Sequence, residues 1–180
     1  GIRGIRPMLD GEHYTQISSD GKRLVKYSFK TGKEVATIFD VETARDCTIK
    51  HFDDYIMSPN ESLILIQTDT KPIYRHSFTA NYYIFNVKNN KMEPLSTGGP
   101  QQVPLFSPDQ IAFVRNNNIY LVKLLFNNSE SQITTDGKYN EVLNGIPDWV
   151  YEEEFGFNRA FDFSADSKMI AYIRFDESKV

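Results

Sequence analysis

Tyr55-Ile56-Met57-Ser58-Pro59-Asn60-Glu61-Ser62-Leu63-Ile64-Leu65-Ile66-Gln67 sets two apolar runs on either side of a Ser-Pro-Asn turn. β-branched and aromatic side chains suit a pleated strand. Pro59 fixes φ and Asn60 tolerates left-handed backbone, so the stretch reads as two strands joined by a tight reversal. The arrangement recurs three times. Ser18-Ser19-Asp20-Gly21 lies between runs at 14–17 and 24–29, and Ser107-Pro108-Asp109 between 103–106 and 111–114. Ser164-Ala165-Asp166-Ser167 lies between 161–163 and 169–175. The four turns begin at residues 18, 58, 107 and 164, which are 40, 49 and 57 residues apart.

Further strand-like runs follow the first three hairpins, at 35–39, at 82–87 and 92–95, and at 119–124 and 131–134. No segment sustains the i, i+3, i+4, i+7 apolar pattern of a helix. A four-stranded antiparallel unit returning every ~40 to 50 residues marks a β-propeller blade. A β-sandwich also shows frequent turn signals. The return of one turn motif at one place in the pattern favours the propeller. The fold class read from the sequence is therefore all-β, a partial β-propeller of four-stranded antiparallel blades. The blades span 10–50, 52–98 and 100–136, with an incomplete one at 157–180 and an acidic segment at 140–156. About three and a half blades do not close a ring of ~4 to 8, so the chain is expected to be part of a larger propeller. Its unpaired strand edges are expected to make the fragment self-associate.

Composition narrows the possible functions. The 180 residues suffice for one domain with a core, and 13 Phe and 10 Tyr fit strands. A net charge of −4 without a basic stripe argues against nucleic acid. The longest apolar runs, such as 63–66, fall far short of the ~20 residues of a membrane-crossing helix. Gly1-Ile2-Arg3-Gly4 reads as an internal start rather than a natural terminus, which is compatible with removal of a leader. Cys47, the single cysteine, excludes an internal disulfide and a cysteine zinc site. His13, His51 and His76 fall in separate units without metal-ligand spacing, and Gly98-Gly99-Pro100 is a turn between units. No metal and no cofactor are expected. Asn60-Glu61-Ser62 and Asn127-Asn128-Ser129 match the glycosylation sequon. The Gly-x-Ser-x-Gly of an α/β-hydrolase nucleophile does not occur.

Two stretches carry candidate chemistry. Asp148-Trp149-Val150-Tyr151-Glu152-Glu153-Glu154-Phe155-Gly156-Phe157 holds three adjacent carboxylates between aromatic flanks. Like charges held close raise one another's pKa unless a cation sits between them. The run therefore reads as a receptor for a metal, an Arg or Lys, or a substrate ammonium. It also reads as the acidic first turn of a helix with Asp148 as N-cap. Tyr74-Arg75-His76-Ser77-Phe78-Thr79-Ala80 falls between two strands of the second unit, where a loop can project. Arg75 there offers a planar, permanently charged donor fork to a cavity, or stacks on a neighbouring ring. The preceding Asp69-Thr70-Lys71-Pro72 reads as a polar loop.

Asn144-Gly145-Ile146 with Asp148-Trp149-Val150-Tyr151-Glu152-Glu153-Glu154 resembles the double-Glu segment of the dipeptidyl peptidase IV family, of the prolyl oligopeptidase type. The 74–80 stretch resembles that family's Arg-bearing loop, and Asn117-Asn118-Ile119-Tyr120 and the Ser-Pro-Asp turns fit the same order from about residue 10 onward. The resemblance implies the N-terminal part of an eight-bladed propeller, from a bacterial member because the family's propeller cysteines are missing. It implies a parent serine exopeptidase that releases N-terminal Xaa-Pro or Xaa-Ala dipeptides, dimeric, and periplasmic, secreted or at the cell surface. Glu153 and Glu154 would bind the substrate's free ammonium, and Arg75 its backbone, with Glu152, Tyr151 and His76 as possible supports. The Ser-Asp-His triad would lie in a C-terminal α/β-hydrolase domain outside this chain, so no catalytic residue is assigned here and the fragment alone should be inactive. The alternative is a non-catalytic propeller whose acids bind peptides or a basic protein.

Overall fold

The first two Ser-x-Asx turns share one hydrogen-bond pattern, which the partnerless Ser107 Oγ of the third does not repeat. Ser18 Oγ donates to Asp20 Oδ1 at 2.6 Å and accepts from Arg23 N at 3.0 Å, while Lys22 N donates to Asp20 Oδ1 at 3.1 Å. The second copy repeats each bond. Ser58 Oγ donates to Asn60 Oδ1 at 3.0 Å and accepts from Leu63 N at 3.0 Å, and Ser62 N donates to Asn60 Oδ1 at 3.1 Å. Asp and Asn are interchangeable here because each uses one side-chain oxygen to close an Asx turn.

The computed structural model describes residues 4–73, 78–124, 127–134, 137, 142–144, 161–163, 170–172 and 174–176, and these contain strands and no helix. The first sheet runs β1 (Arg6–Pro7), β2 (His13–Ile17), β3 (Arg23–Ser28) and β4 (Glu34–Asp40). The second runs β5 (Asp54–Met57), β6 (Leu63–Pro72), β7 (Phe78–Asn86) and β8 (Lys91–Pro94). The third runs β9 (Gln102–Ser107), β10 (Gln110–Arg115), β11 (Asn118–Lys123) and β12 (Ser129–Gln132). In each sheet the strands lie side by side in chain order. The Ser18 turn joins the second and third strands of its sheet, whereas the Ser58 and Ser107 turns join the first and second. The motif fixes a reversal, not a place in the sheet, and the two-residue β1 ahead of it shifts the count by one strand.

Two small ladders follow. β13 (Val142–Asn144) pairs with β16 (Arg174–Asp176), and β14 (Phe161–Phe163) with β15 (Ile170–Tyr172). The run 169–175, read from sequence as one strand, is thus two strands with different partners.

By contacts the chain divides into two units, 1–69 with 82–94 and 70–81 with 95–180. The first is built on Ile17, Leu24, Phe39, Phe52, Ile64, Ile66, Phe85 and Met92, all buried. Phe39 lies edge-on to Phe52 and Phe85, with ring centres 5.2 and 4.8 Å away. Three buried hydroxyls find partners: Thr15 Oγ1 and Tyr55 Oη meet at 2.6 Å, and Tyr82 Oη donates to Gln67 Oε1 at 3.2 Å. Burial carries the Tyr82 phenol above its ordinary value of 10.0, so it stays protonated and able to donate. The second unit packs Leu105 and Ile170 against Ala112, Val114, Ile119 and Leu121.

Candidate functional site

β6 runs for ten residues, and its burial changes abruptly along that length. Residues 64–68 are buried and 69–72 exposed, with the change at Asp69, whose φ is 52°. β5 pairs with β6 only as far as Gln67, and β8 pairs with β7 only from Tyr83 onward. Residues 70–72 of β6 and 78–81 of β7 therefore form an arm that extends beyond the pairing of the outer strands. The stretch 69–72, read from sequence as a polar loop, is the outgoing half of that arm. On the returning half, Ala80 is buried and exchanges both backbone hydrogen bonds with Gln101, N to O at 2.9 and 2.8 Å. Arg75 and His76 belong to the connection at 74–77, outside the described residues.

Gln101 precedes β9, and Gln102 stands opposite Val114. The arm is therefore tied to the end of the third sheet where β10 turns into β11 and where β12 leaves. At that end Asn116 and Asn117 have φ of 51° and 63°, the two left-handed residues of a tight hairpin turn. Asn118, 7% exposed, then knots the chain. Its Oδ1 accepts from Thr134 Oγ1 at 2.9 Å and from Gly137 N at 2.8 Å, and Ile119 N donates to Thr134 Oγ1 at 3.0 Å. A Cβ on Gly137 would come within 2.2 Å of the Asn117 carbonyl oxygen, so the position admits only glycine without a shift. The sequence shows Asn116-Asn117-Asn118 as a turn but not that the third Asn binds residues 16 and 19 positions on, because that partnership is tertiary.

The chain leaves this knot towards β13 and reaches β14 only after the acidic run. Tyr151, Glu152, Glu153 and Glu154 lie in that connection, outside the described residues. Within the second unit, Ala80, which follows the first stretch, and Gly137, which precedes the second, both attach at one end of the third sheet.

Other reactive groups among the described residues are accounted for locally. Asp10, Glu12 and His13 bring potential ligand atoms within 4.8 Å of one another. Asp10 already closes the β1–β2 turn, accepting from Glu12 N at 2.8 Å and His13 N at 3.0 Å and meeting His13 Nδ1 at 2.6 Å. The bond to His13 is the main reason its carboxyl is held below the usual value. Burial pushes the Cys47 thiol up, which makes it a poor nucleophile.

Comparison with known proteins bears on the same region. Residues 58–180 match the family described as the dipeptidyl peptidase IV (DPP IV) N-terminal region. A dipeptidyl peptidase 4 of Trichophyton equinum is 35% identical over 176 residues, covering 95% of this chain and 21% of that protein. A probable dipeptidyl-aminopeptidase B of Talaromyces stipitatus is 43% identical over 129 residues, 68% of this chain and 14% of that one. The Porphyromonas gingivalis dipeptidyl peptidase 4 crystal structure superposes with a TM-score of 0.93 at 46% identity, over 99% of this chain and 26% of that one. The chain thus spans about a fifth of the curated relatives' length. It has the fold of the N-terminal propeller region, an all-β assembly of four-stranded antiparallel blades.

Proposed function

Because the chain belongs to the dipeptidyl peptidase IV N-terminal family, we propose that it gates and anchors substrate for a serine exopeptidase that releases N-terminal dipeptides. Glu153 and Glu154 hold the peptide's ammonium, Arg75 holds its backbone and orients one carboxylate, and Glu152, Tyr151 and His76 support them. An ammonium offers three donors, which two carboxylates accept with charge assistance. One such contact at ~4 Å is worth roughly 4 kcal/mol at an effective dielectric near 20, before desolvation is subtracted. Clamping the amino end at a fixed distance from a nucleophile makes the site a ruler, so cleavage falls after two residues. The nucleophile and its partners belong to the part of the protein outside this chain, which works outside the cytoplasm. The isolated chain self-associates by strand-edge pairing with a second copy.

The observation that carries this reading is the shared frame. β7, which follows Arg75 in the chain, is fastened through Ala80 and Gln101 to the end of the third sheet where Gly137, upstream of the acids, is held. An acetylated substrate tests it in the full-length protein. The blocked terminus leaves two desolvated carboxylates unpaired, so turnover of acetyl-Gly-Pro substrates drops at least a hundredfold below that of the free amine. Comparable turnover of both would refute the anchor.

A further inference from the structure

Arg115 ends β10 with a side chain only 11% exposed, and the anchoring scheme leaves it without a task. Its guanidinium carbon lies 4.2 Å from the centre of the Tyr120 ring, its diagonal neighbour on β11. Tyr120 in turn stacks on Phe113, with ring centres 5.5 Å apart. Arg115 Nη2 donates to Glu130 Oε2 at 3.1 Å, and Nη1 donates to Ser96 Oγ. Gly98 lies against it as well: a Cβ there would come within 2.6 Å of Cζ. The guanidinium thus has an aromatic ring, a carboxylate, the Ser96 hydroxyl and Gly98 around it. A plane that stacks and a fork that donates in two directions are specific to arginine, and a lysine ammonium supplies neither.

What Arg115 grips is the segment that leads to the arm. Residues 96–99 run from β8 towards β9, and Gln101, 1% exposed, follows after Pro100. Gln101 Nε2 donates back to the Gly99 carbonyl, while its backbone exchanges hydrogen bonds with Ala80. An unbroken line of contacts therefore leads from Arg115 through Ser96 and Gly98 to Gln101, and from there to Ala80, five residues after Arg75 in the chain. We propose that Arg115 is a positioning residue for substrate binding: by seating the 96–101 segment it sets where β7, which follows Arg75 in the chain, begins its return. The proposal rests on the reading of Arg75 as a substrate contact.

The test uses the full-length protein with Arg115→Met, Arg115→Lys and Gly98→Ala, each also combined with Arg75→Ala. Gly98→Ala keeps the guanidinium but takes away its seat. Misplacing a substrate-binding group by about 1 Å costs up to ~100-fold. We therefore expect KM for a free-amine Gly-Pro substrate to rise about tenfold in Arg115→Met and Gly98→Ala, with kcat nearly unchanged. Arg115→Lys gives the same sign, and it carries the test if the Met variant does not fold. In the Arg75→Ala background the same substitutions add less than twofold, because the arm no longer has a contact to misplace. Hydrogen exchange at the Ala80 and Gln101 amides quickens in all three single variants. Equal losses in both backgrounds, or unchanged exchange at those two amides, would overturn the proposal. Should Arg75→Ala alone leave turnover intact, the anchoring scheme fails at Arg75, and the exchange rates still decide whether Arg115 holds the arm.

Discussion

Glu153→Gln and Glu154→Gln each lower kcat/KM of the full-length protein on Gly-Pro substrates by about two to three orders of magnitude. Glutamine keeps the size and one acceptor oxygen but removes the charge, and it points an N–H₂ at a group that can only donate. Truncating one partner of a buried charge pair costs about 2–5 kcal/mol, and each 1.4 kcal/mol is tenfold. The remaining carboxylate still binds the ammonium, so activity falls but is not abolished. The two positions are coupled, and the double variant loses less than the product of the single losses. Steady-state kinetics on purified variants with unchanged melting behaviour measure this. Activity within twofold of wild type in both single variants would remove the ammonium-anchor role.

Phe39→Ala produces the largest expected loss of stability. The ring is 1% exposed and is gripped edge-on by Phe52 and Phe85. Its removal costs the transfer energy of the ring plus the cavity left behind, about 3–5 kcal/mol. Domains are stable by only ~5–15 kcal/mol, so the first unit loses a large share of its margin. Urea unfolding of the full-length protein, followed by a probe in that unit, reports the shift. A change below about 1 kcal/mol would mean that the neighbours close over the hole, contrary to the packing described here.

The repeat was legible because its cause is local. A Ser, an Asp or Asn two positions later and flanking apolar runs such as 63–67 specify a reversal between strands wherever they occur. What escaped the sequence depends on distant partners. Thr70-Lys71-Pro72 has no strand-like composition, yet it extends β6 because β7 lies beside it. β12 begins at Ser129, two residues before the apolar pattern indicates, because Asn127 and Asn128, with φ of 54° and 55°, turn the chain there. β13 is three residues long, and its partner β16 lies some thirty residues further on. Arg115 reads as an unremarkable charge at a strand end, since its burial depends on Gly98 and Ser96 coming from another part of the chain. The candidate site divides along the same line. The types and order of Arg75, Glu153 and Glu154 are written in the chain, and the arm and the Asn118 knot that frame them are products of folding.

In the proposed anchor, Glu153 and Glu154 clasp the charged amino end of a peptide beside Arg75. A crystal structure of the full-length protein with a bound free-amine peptide measures this most directly. The account predicts the peptide nitrogen within about 2.7–3.2 Å of an oxygen from each carboxylate, with the Arg75 guanidinium on the peptide backbone or on one of those carboxylates. A peptide nitrogen bound elsewhere, or Arg75 turned away from the two acids, would contradict it.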